Sequence, residues 1–66
     1  MREVQPHQQR VIDEKHELDL KIDALAKCFG SDIFMKIDEV EQDRLHCQYQ
    51  IMKAYTAILA SRIKGF

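Results

Sequence analysis

The chain has 66 residues, so its own core can contribute little stability, and domains of this size usually need disulfides, a metal or a partner subunit. Ten basic and eleven acidic residues give a net charge of −1, which argues against the strongly basic face of a protein that wraps DNA or RNA. Cys28 and Cys47 are too few for a disulfide scaffold, and they lack paired C-x-x-C spacing. Composition therefore predicts a single domain that is stabilised by self-association.

The N-terminal half predicts one long helix. Pro6 suits the first turn of a helix, and no helix breaker follows until Gly30, which sits where a left-handed C-cap belongs. Helix 1 is therefore predicted over about residues 6–29. The chain shows neither a secretory signal nor an apolar run long enough for a bilayer, so we expect a cytoplasmic protein that does not enter a membrane.

The remainder predicts a short helical turn and a second long helix. Ser31 is expected to cap a turn at about 32–36. Asp38 and Glu41 have the spacing of a capping box, which starts a helix predicted over about 38–64. Two long helices joined by a short connection are expected to lie antiparallel. The predicted fold class is an all-α helical hairpin within one domain, residues 1–66, assembled into a homo-oligomer.

Apolar side chains decide the expected assembly. Helix 1 carries one stripe, formed by Val11, Leu18, Ile22, Leu25 and Phe29. Helix 2 carries two adjacent rows. The first row consists of Leu45, Tyr49, Met52, Leu59, Ile63 and Phe66. The second row consists of Val40, Cys47, Ile51, Tyr55 and Ile58. The two rows cover roughly 200° of helix 2, of which one partner helix covers about half, so copies of the chain are expected to cover the second row. In the alternative, the turn around Ile33–Met35 folds over that row.

Catalytic and metal chemistry find little support. The histidines and cysteines never occur at the i, i+3 or i, i+4 spacing that places two ligands on one helical face. The chain also lacks the loops that usually hold a nucleophile, its base and an oxyanion site. The sequence predicts no metal, no cofactor and no enzymatic activity.

The start of helix 1 is the strongest candidate for a binding site. His7, Gln8 and Arg10 offer a ring, an amide and a guanidinium beside the free N–H groups of a helix N-terminus, which favours an anion. Lys21 falls on the same flank as Arg10. In the alternative interpretation, these side chains are simply solvated polar residues of a helix start.

Two residues of helix 2 complete the candidate set. Tyr55 and Arg62 share a helical face one heptad apart. In an antiparallel hairpin they return towards the start of helix 1, so they could meet His7 and Arg10 within one protomer or across an interface. An aromatic–arginine pair of this kind most often serves packing.

Segments at both ends of the chain resemble a family of short phage-encoded proteins, the cyclic-oligonucleotide sponges that act against the bacterial CBASS defence. In the N-terminal half the resemblance is carried by Gln8-Gln9-Arg10-Val11, Glu14-Lys15, Glu17-Leu18 and Lys21. In the C-terminal half it is carried by Glu41-Gln42, Arg44-Leu45, Gln48, Met52, Tyr55, Leu59, Arg62-Ile63 and Phe66.

The resemblance implies a hexamer of helical hairpins that captures cyclic dinucleotides, and in some members cyclic trinucleotides, without cleaving them, in the cytoplasm of the infected bacterial host. It assigns Lys21 to the phosphates and makes Arg10 a donor from the helix start. The stacking tyrosine of the family falls on His7, whose imidazole stacks more weakly. Tyr55 and Arg62 would be contributed by helix 2.

Two other functions stay open on the sequence. The first is an oligomeric protein-interaction module that grips another protein with its second row and binds no small molecule. The second is a DNA-binding regulator, which the lack of a basic face disfavours.

Overall fold

The computed structural model describes residues 3–66; Met1 and Arg2, which the predicted domain included, lie outside the described residues. Residues 3–66 form three helices and no strand. Helix α1 spans Pro6–Cys28, the short helix α2 spans Asp32–Met35, and helix α3 spans Glu39–Lys64. The all-helical class predicted from the sequence is thereby confirmed. None of these helices combines the length and the apolarity that crossing a bilayer requires.

Helices α1 and α3 pack against each other in opposite directions. Phe29, just beyond α1, stacks on His46 near the start of α3, with ring centroids 4.4 Å apart. Further along α3, the Thr56 hydroxyl donates to the carboxylate of Asp19 at 2.5 Å. The resulting rod measures 50 × 16 × 14 Å, and its radius of gyration of 15.3 Å exceeds the value of about 11 Å expected for a globular chain of this length.

The end of α1 differs from the expectation at Gly30. No described residue has a positive φ, so the predicted left-handed C-cap at Gly30 is wrong. Phe29 caps the helix in the right-handed region instead. The Ser31 hydroxyl and backbone N–H both donate to the Cys28 carbonyl, at 2.7 and 3.0 Å, and satisfy a carbonyl that the ending helix leaves unpaired.

The start of α3 also departs from the predicted capping box. Asp38 holds the N-cap position, but its side chain makes no capping hydrogen bond. The side-chain amide of Gln42 donates to the carbonyls of Phe34 and Ile37, at 3.0 and 2.9 Å. This amide therefore fastens the connection onto α3.

An aromatic cluster closes the connection end of the hairpin. The Phe29 ring stacks on His46 and meets the edges of Phe34 and Tyr49, with centroids 5.2 and 5.3 Å away. Edge-to-face and stacked pairs at such distances add about 0.5–1.5 kcal/mol each beyond their buried area. His46 is thus a packing residue of the hairpin.

Very little of the chain is buried. Among the described residues only Val11, Phe34 and Leu59 are buried hydrophobic side chains, and Leu59 alone is fully covered. The first row of α3 faces α1, as its periodicity predicts. The second row stays in solvent, since Ile51 and Ile58 are 69% and 60% exposed.

The short helix α2 does not cover that second row. Its Ile33 and Met35 are themselves 72% and 73% exposed, while Phe34 alone turns inward. The alternative in which the turn shields the row is therefore wrong. Full burial of an isoleucine side chain contributes about 1.5–3 kcal/mol to stability. The single hairpin does not gain this contribution from Ile51 and Ile58.

A carboxylate of α1 links the two long helices. Asp19 accepts a 2.6 Å ion-paired hydrogen bond from Lys15 on one oxygen and the hydrogen bond from Thr56 on the other. The hydrogen bond from Lys15, followed by that from Thr56, lowers the pKa of the Asp19 carboxyl below its ordinary value. Because the pKa is lower in the folded state, the ionised carboxylate stabilises the hairpin at neutral pH.

We predict that Asp19→Asn lowers the unfolding temperature at neutral pH. The variant's unfolding temperature should also fall less than that of the wild type as the pH is lowered. The contribution of Asp19 is fully present above the unfolded-state pKa of about 3.9 and is lost as the pH falls through the lower folded-state value. The measurement is thermal unfolding, followed by circular dichroism from about pH 7 to about pH 2.

Asp23→Asn is the matched control, because Asp23 also pairs with a lysine of α1, Lys27 at 3.3 Å, but does not reach α3. The wild type and the control should lose stability in acid more steeply than Asp19→Asn. Parallel pH profiles for all three proteins would contradict the assigned role of Asp19.

Candidate ligand-binding surface

The first turn of α1 presents polar groups with a positive helix end. Pro6 occupies the first helical position, and no acidic residue lies in the first turn to neutralise the helix dipole. His7 is exposed and Gln8 is half-buried. The side-chain oxygen of Gln8 accepts a 2.9 Å hydrogen bond from the Gln5 backbone N–H. This oxygen therefore caps the helix, and the amide N–H groups of Gln8 remain available to a ligand.

A continuous polar strip follows one flank of α1. It is defined by side chains spaced three or four residues apart, which share a helical face: His7, Arg10, Glu14, Glu17 and Lys21. All five are exposed. Arg10 and Lys21 differ by only about 20° on the helical wheel and by about 16 Å along the axis. The polar strip therefore offers two cations on one line, with two carboxylates between them.

Tyr55 lies against the middle of this polar strip. Its hydroxyl donates a hydrogen bond to the carboxylate of Glu14, across the α1–α3 interface, and its side chain stays 42% exposed. This contact occupies one of the two carboxylates between Arg10 and Lys21. The structure thus brings three predicted site residues, Arg10, Lys21 and Tyr55, to the same side of the hairpin.

Arg62 and His7 lie at the open end of the hairpin. Arg62 is exposed in the last turn of α3, which runs back to the start of α1. Fourteen residues of continuous helix separate His7 from Lys21, or about 21 Å along the axis. The six predicted residues consequently do not surround one pocket within a single chain.

Sequence reasoning missed the role of Glu14. The pattern of charges on helix 1 is typical of solvated i, i+4 pairs, and two such pairs are indeed present, Lys15–Asp19 and Lys27–Asp23. Glu14 instead pairs with an aromatic hydroxyl of the other helix. Only the antiparallel register, which sets Tyr55 level with Glu14, could have shown this.

A second surface feature lies on α3, away from the polar strip. Second-row residues Val40, Cys47 and Ile51, together with Arg44, border a shallow apolar groove of about 480 Å³. None of the six predicted site residues lines it. Within residues 3–66, no group of three or more histidine, cysteine or acidic side chains is arranged to hold a metal ion.

The contact between Tyr55 and Glu14 generates a stability prediction. Tyr55→Phe removes the hydroxyl and should lower the free energy of unfolding by about 1 kcal/mol or less, since a hydrogen bond to a charged group is worth about 1.5–3 kcal/mol and solvent exposure reduces it here. Urea unfolding measures the change.

Tyr49→Phe is the control, because Tyr49 contacts Phe29 and Lys53 through its ring. Equal losses in the two variants, or a more stable Tyr55→Phe protein, would contradict the assigned hydrogen bond.

The matches to known proteins extend over nearly the same residues as the hairpin. The model of the Sequestin family matches residues 5–65, nearly the whole chain. The chain is also 42% identical over 60 residues to the "Uncharacterized 7.5 kDa protein in denB-rIIB intergenic region" of Enterobacteria phage T4, covering 91% of this chain and 94% of that protein. No solved structure gives a significant match. The chain belongs to the Sequestin family.

Proposed function

We propose that the protein binds and sequesters cyclic oligonucleotide second messengers without cleaving them, and so blocks CBASS signalling in the cytoplasm of a phage-infected bacterium. The observation that carries the proposal is the match of the Sequestin family over residues 5–65, since the name of that family denotes capture. The phage relative, which the chain matches along nearly its whole length, supports a viral origin.

The polar strip has the chemistry that such a ligand needs. Cyclic oligonucleotides carry one phosphodiester per nucleotide and present flat bases. Lys21 and Arg10 supply cations for the phosphates, and Arg10 can bind a phosphate through two parallel N–H groups. The exposed rings of His7 and Tyr55 can stack on bases, while Gln8 retains amide N–H groups for base edges or phosphates.

The spacing along α1 favours a pocket that two protomers share. Lys21 lies about 21 Å from the level of His7, so one compact ligand could reach both residue types only if a second chain supplied one of them. A two-fold interface presents each residue twice, which suits a cyclic dinucleotide with two phosphates and two bases. A three-fold axis would suit a cyclic trinucleotide in the same way, and both axes occur in a hexamer.

Glu17 bears directly on this arrangement, because its carboxylate lies between Arg10 and Lys21 and repels phosphate. Glu14 is less of an obstacle, since Tyr55 already donates to it. An anionic ligand would therefore sit towards Lys21 on the side away from Glu17, or the carboxylate of Glu17 would turn outward into solvent. Sequestration needs no catalytic group, and we propose that the protein has no enzymatic activity.

A protein-interaction module is the second candidate. The observation in its favour is the exposed second row of α3, with Ile51 and Ile58 more than half in solvent. In this alternative the second row grips another protein and the polar strip is only a solvated surface. The two functions differ in whether nucleotide accompanies the purified protein. The test uses protein made in a strain that produces cyclic nucleotides, and the ratio of absorbance at 260 nm to that at 280 nm reports bound nucleotide.

We predict that cyclic dinucleotides or trinucleotides raise the unfolding temperature and that Lys21→Ala abolishes this rise. A ligand present at 100 times its dissociation constant adds about 2.7 kcal/mol to the stability of the folded state. Removal of the lysine ammonium takes away the main phosphate contact and leaves the helix intact, because alanine favours helix.

Lys27→Ala is the matched control, since Lys27 lies on α1 outside the polar strip and is 78% exposed. It should keep the full ligand-dependent rise. The proposal fails if a panel of cyclic dinucleotides and trinucleotides leaves the wild-type unfolding temperature unchanged and no nucleotide accompanies the purified protein.

A further inference from the structure

Two neighbouring charges of the polar strip, Glu17 and Lys21, are left open by the fold. They lie four residues apart on α1 with the acid on the N-terminal side, the spacing and order that favour an ion pair. Within residues 3–66, however, neither side chain makes a hydrogen bond or an ion pair, and both are exposed. Both groups are therefore available to a ligand that carries an anion together with hydrogen-bond donors.

Glu17 differs in this respect from Glu14, the other carboxylate of the polar strip. The carboxylate of Glu14 already accepts the hydroxyl of Tyr55. Glu17 lies about 60° further round the helix, on the side away from α3, where no described side chain donates to it. A carboxylate in this position repels a ligand that offers only phosphates, whereas a ligand that also brings N–H donors to Glu17 is accepted.

Among the bases of a nucleotide ligand, guanine has the donors that match a carboxylate best. An ionised carboxylate accepts hydrogen bonds through two adjacent oxygens and donates none. The Watson–Crick edge of guanine carries N1–H and N2–H side by side, so one carboxylate can accept both. Adenine, cytosine and uracil each place an acceptor next to their donor group, and this acceptor would face the second carboxylate oxygen. The chemistry of Glu17 thus distinguishes guanine from the other bases.

We propose that Glu17 selects guanine-containing cyclic oligonucleotides, by accepting the N1–H and N2–H donors of a guanine while Lys21 binds a phosphate of the same ligand. The inference rests on the proposed function, which names the ligand class but no base. Lys21 lies one turn beyond Glu17, about 6 Å along the axis, so the two side chains meet different parts of the ligand. The phosphate then lies on the far side of Lys21, away from the carboxylate.

The hydrogen bond between Tyr55 and Glu14 supports this arrangement, because it holds an exposed ring beside Glu17. Tyr55 stays 42% exposed, and Glu14 precedes Glu17 by three residues on the same face of α1. Any base can stack on such a ring, since every base has a π-face. Stacking on Tyr55 therefore supplies affinity without preference, and the edge contact with Glu17 supplies the choice of base.

Calorimetric titration with cyclic di-GMP, cyclic di-IMP and cyclic di-AMP tests the inference, because the three ligands share one ring and two phosphates. Hypoxanthine, the base of cyclic di-IMP, keeps the N1–H of guanine but lacks the 2-amino group. A bidentate base contact discriminates by about tenfold or more, so the wild type should bind cyclic di-GMP about tenfold more tightly than cyclic di-AMP. Cyclic di-IMP should bind with intermediate affinity.

Glu17→Gln removes the pair of acceptor oxygens and the negative charge. Its affinity for cyclic di-GMP should fall about tenfold, whereas its affinity for cyclic di-AMP should stay the same or rise, because the repulsion of phosphate is lost. Glu39→Gln is the matched control, since it makes the same chemical change at an exposed position in the first turn of α3. It should keep the wild-type order of affinities, and circular dichroism checks that both variants are helical.

Equal wild-type affinities for cyclic di-GMP and cyclic di-AMP would overturn the inference, and so would a Glu17→Gln protein that keeps the wild-type preference. A variant that binds all three ligands more tightly by the same factor would also overturn it, because Glu17 would then only repel phosphate. In these three cases cyclic dinucleotides still bind, and the proposed function stands. A wild-type protein that binds no cyclic dinucleotide or trinucleotide would remove the proposed function, and the inference with it.

Discussion

The fold and the proposed assembly both depend on one feature of α3: its two adjacent rows of apolar side chains cover more of the helix than α1 alone can bury. One side of this helix is closed by α1, which covers Leu59 completely. The neighbouring side carries Ile51 and Ile58 into solvent, and no other described element reaches them. Within one hairpin, α1 can cover only one face of α3, the first row. The second row therefore stays as an exposed apolar surface that another molecule could cover.

The register of the hairpin determines what the polar surface can do. The contact from Thr56 to Asp19 and the ring stacking of Phe29 on His46 fix α3 against α1 at two levels. At this register Tyr55 meets Glu14, and one carboxylate between Arg10 and Lys21 is occupied by a hydroxyl. A slip by one turn would leave that carboxylate without the tyrosine hydroxyl, so the packing of the helices and the charge of the polar strip are coupled.

Periodicity and helix signals predicted the all-helical class and the assignment of faces, because both follow from local spacing. The first row of α3 and the stripe of α1 face each other, and the second row is exposed. The capping chemistry was predicted less well. Gly30 was expected to end α1 in a left-handed turn, but the Ser31 hydroxyl instead donates to the last carbonyl of the helix. Asp38 holds the N-cap position of α3 without a capping hydrogen bond, and the amide of Gln42 donates to carbonyls of the connection. Ser31 and Gln42 both use hydrogen bonds to carbonyls whose positions depend on the folded connection.

The candidate site was predictable only in part, for a related reason. Sequence spacing placed Arg10 and Lys21 on one flank, which the geometry of a helix alone ensures. It could not show that Tyr55 joins them through Glu14, since this contact spans 41 residues and depends on tertiary register. The sequence and the resemblance together named His7, Gln8 and Arg62 as well, but the hairpin alone does not gather them around one ligand. The ligand-binding role of all six residues stays a prediction.

Sedimentation equilibrium of the wild-type protein at micromolar concentration tests the central claim most directly. If the second row must be covered by copies of the chain, the protein should sediment as a discrete assembly several times heavier than a single chain. Ile51→Ser combined with Ile58→Ser should shift it towards lighter species, because polar side chains remove the free-energy gain of burial. A fully helical wild-type protein that sediments as a single chain would contradict the claim, and with it the proposed binding surface shared between protomers.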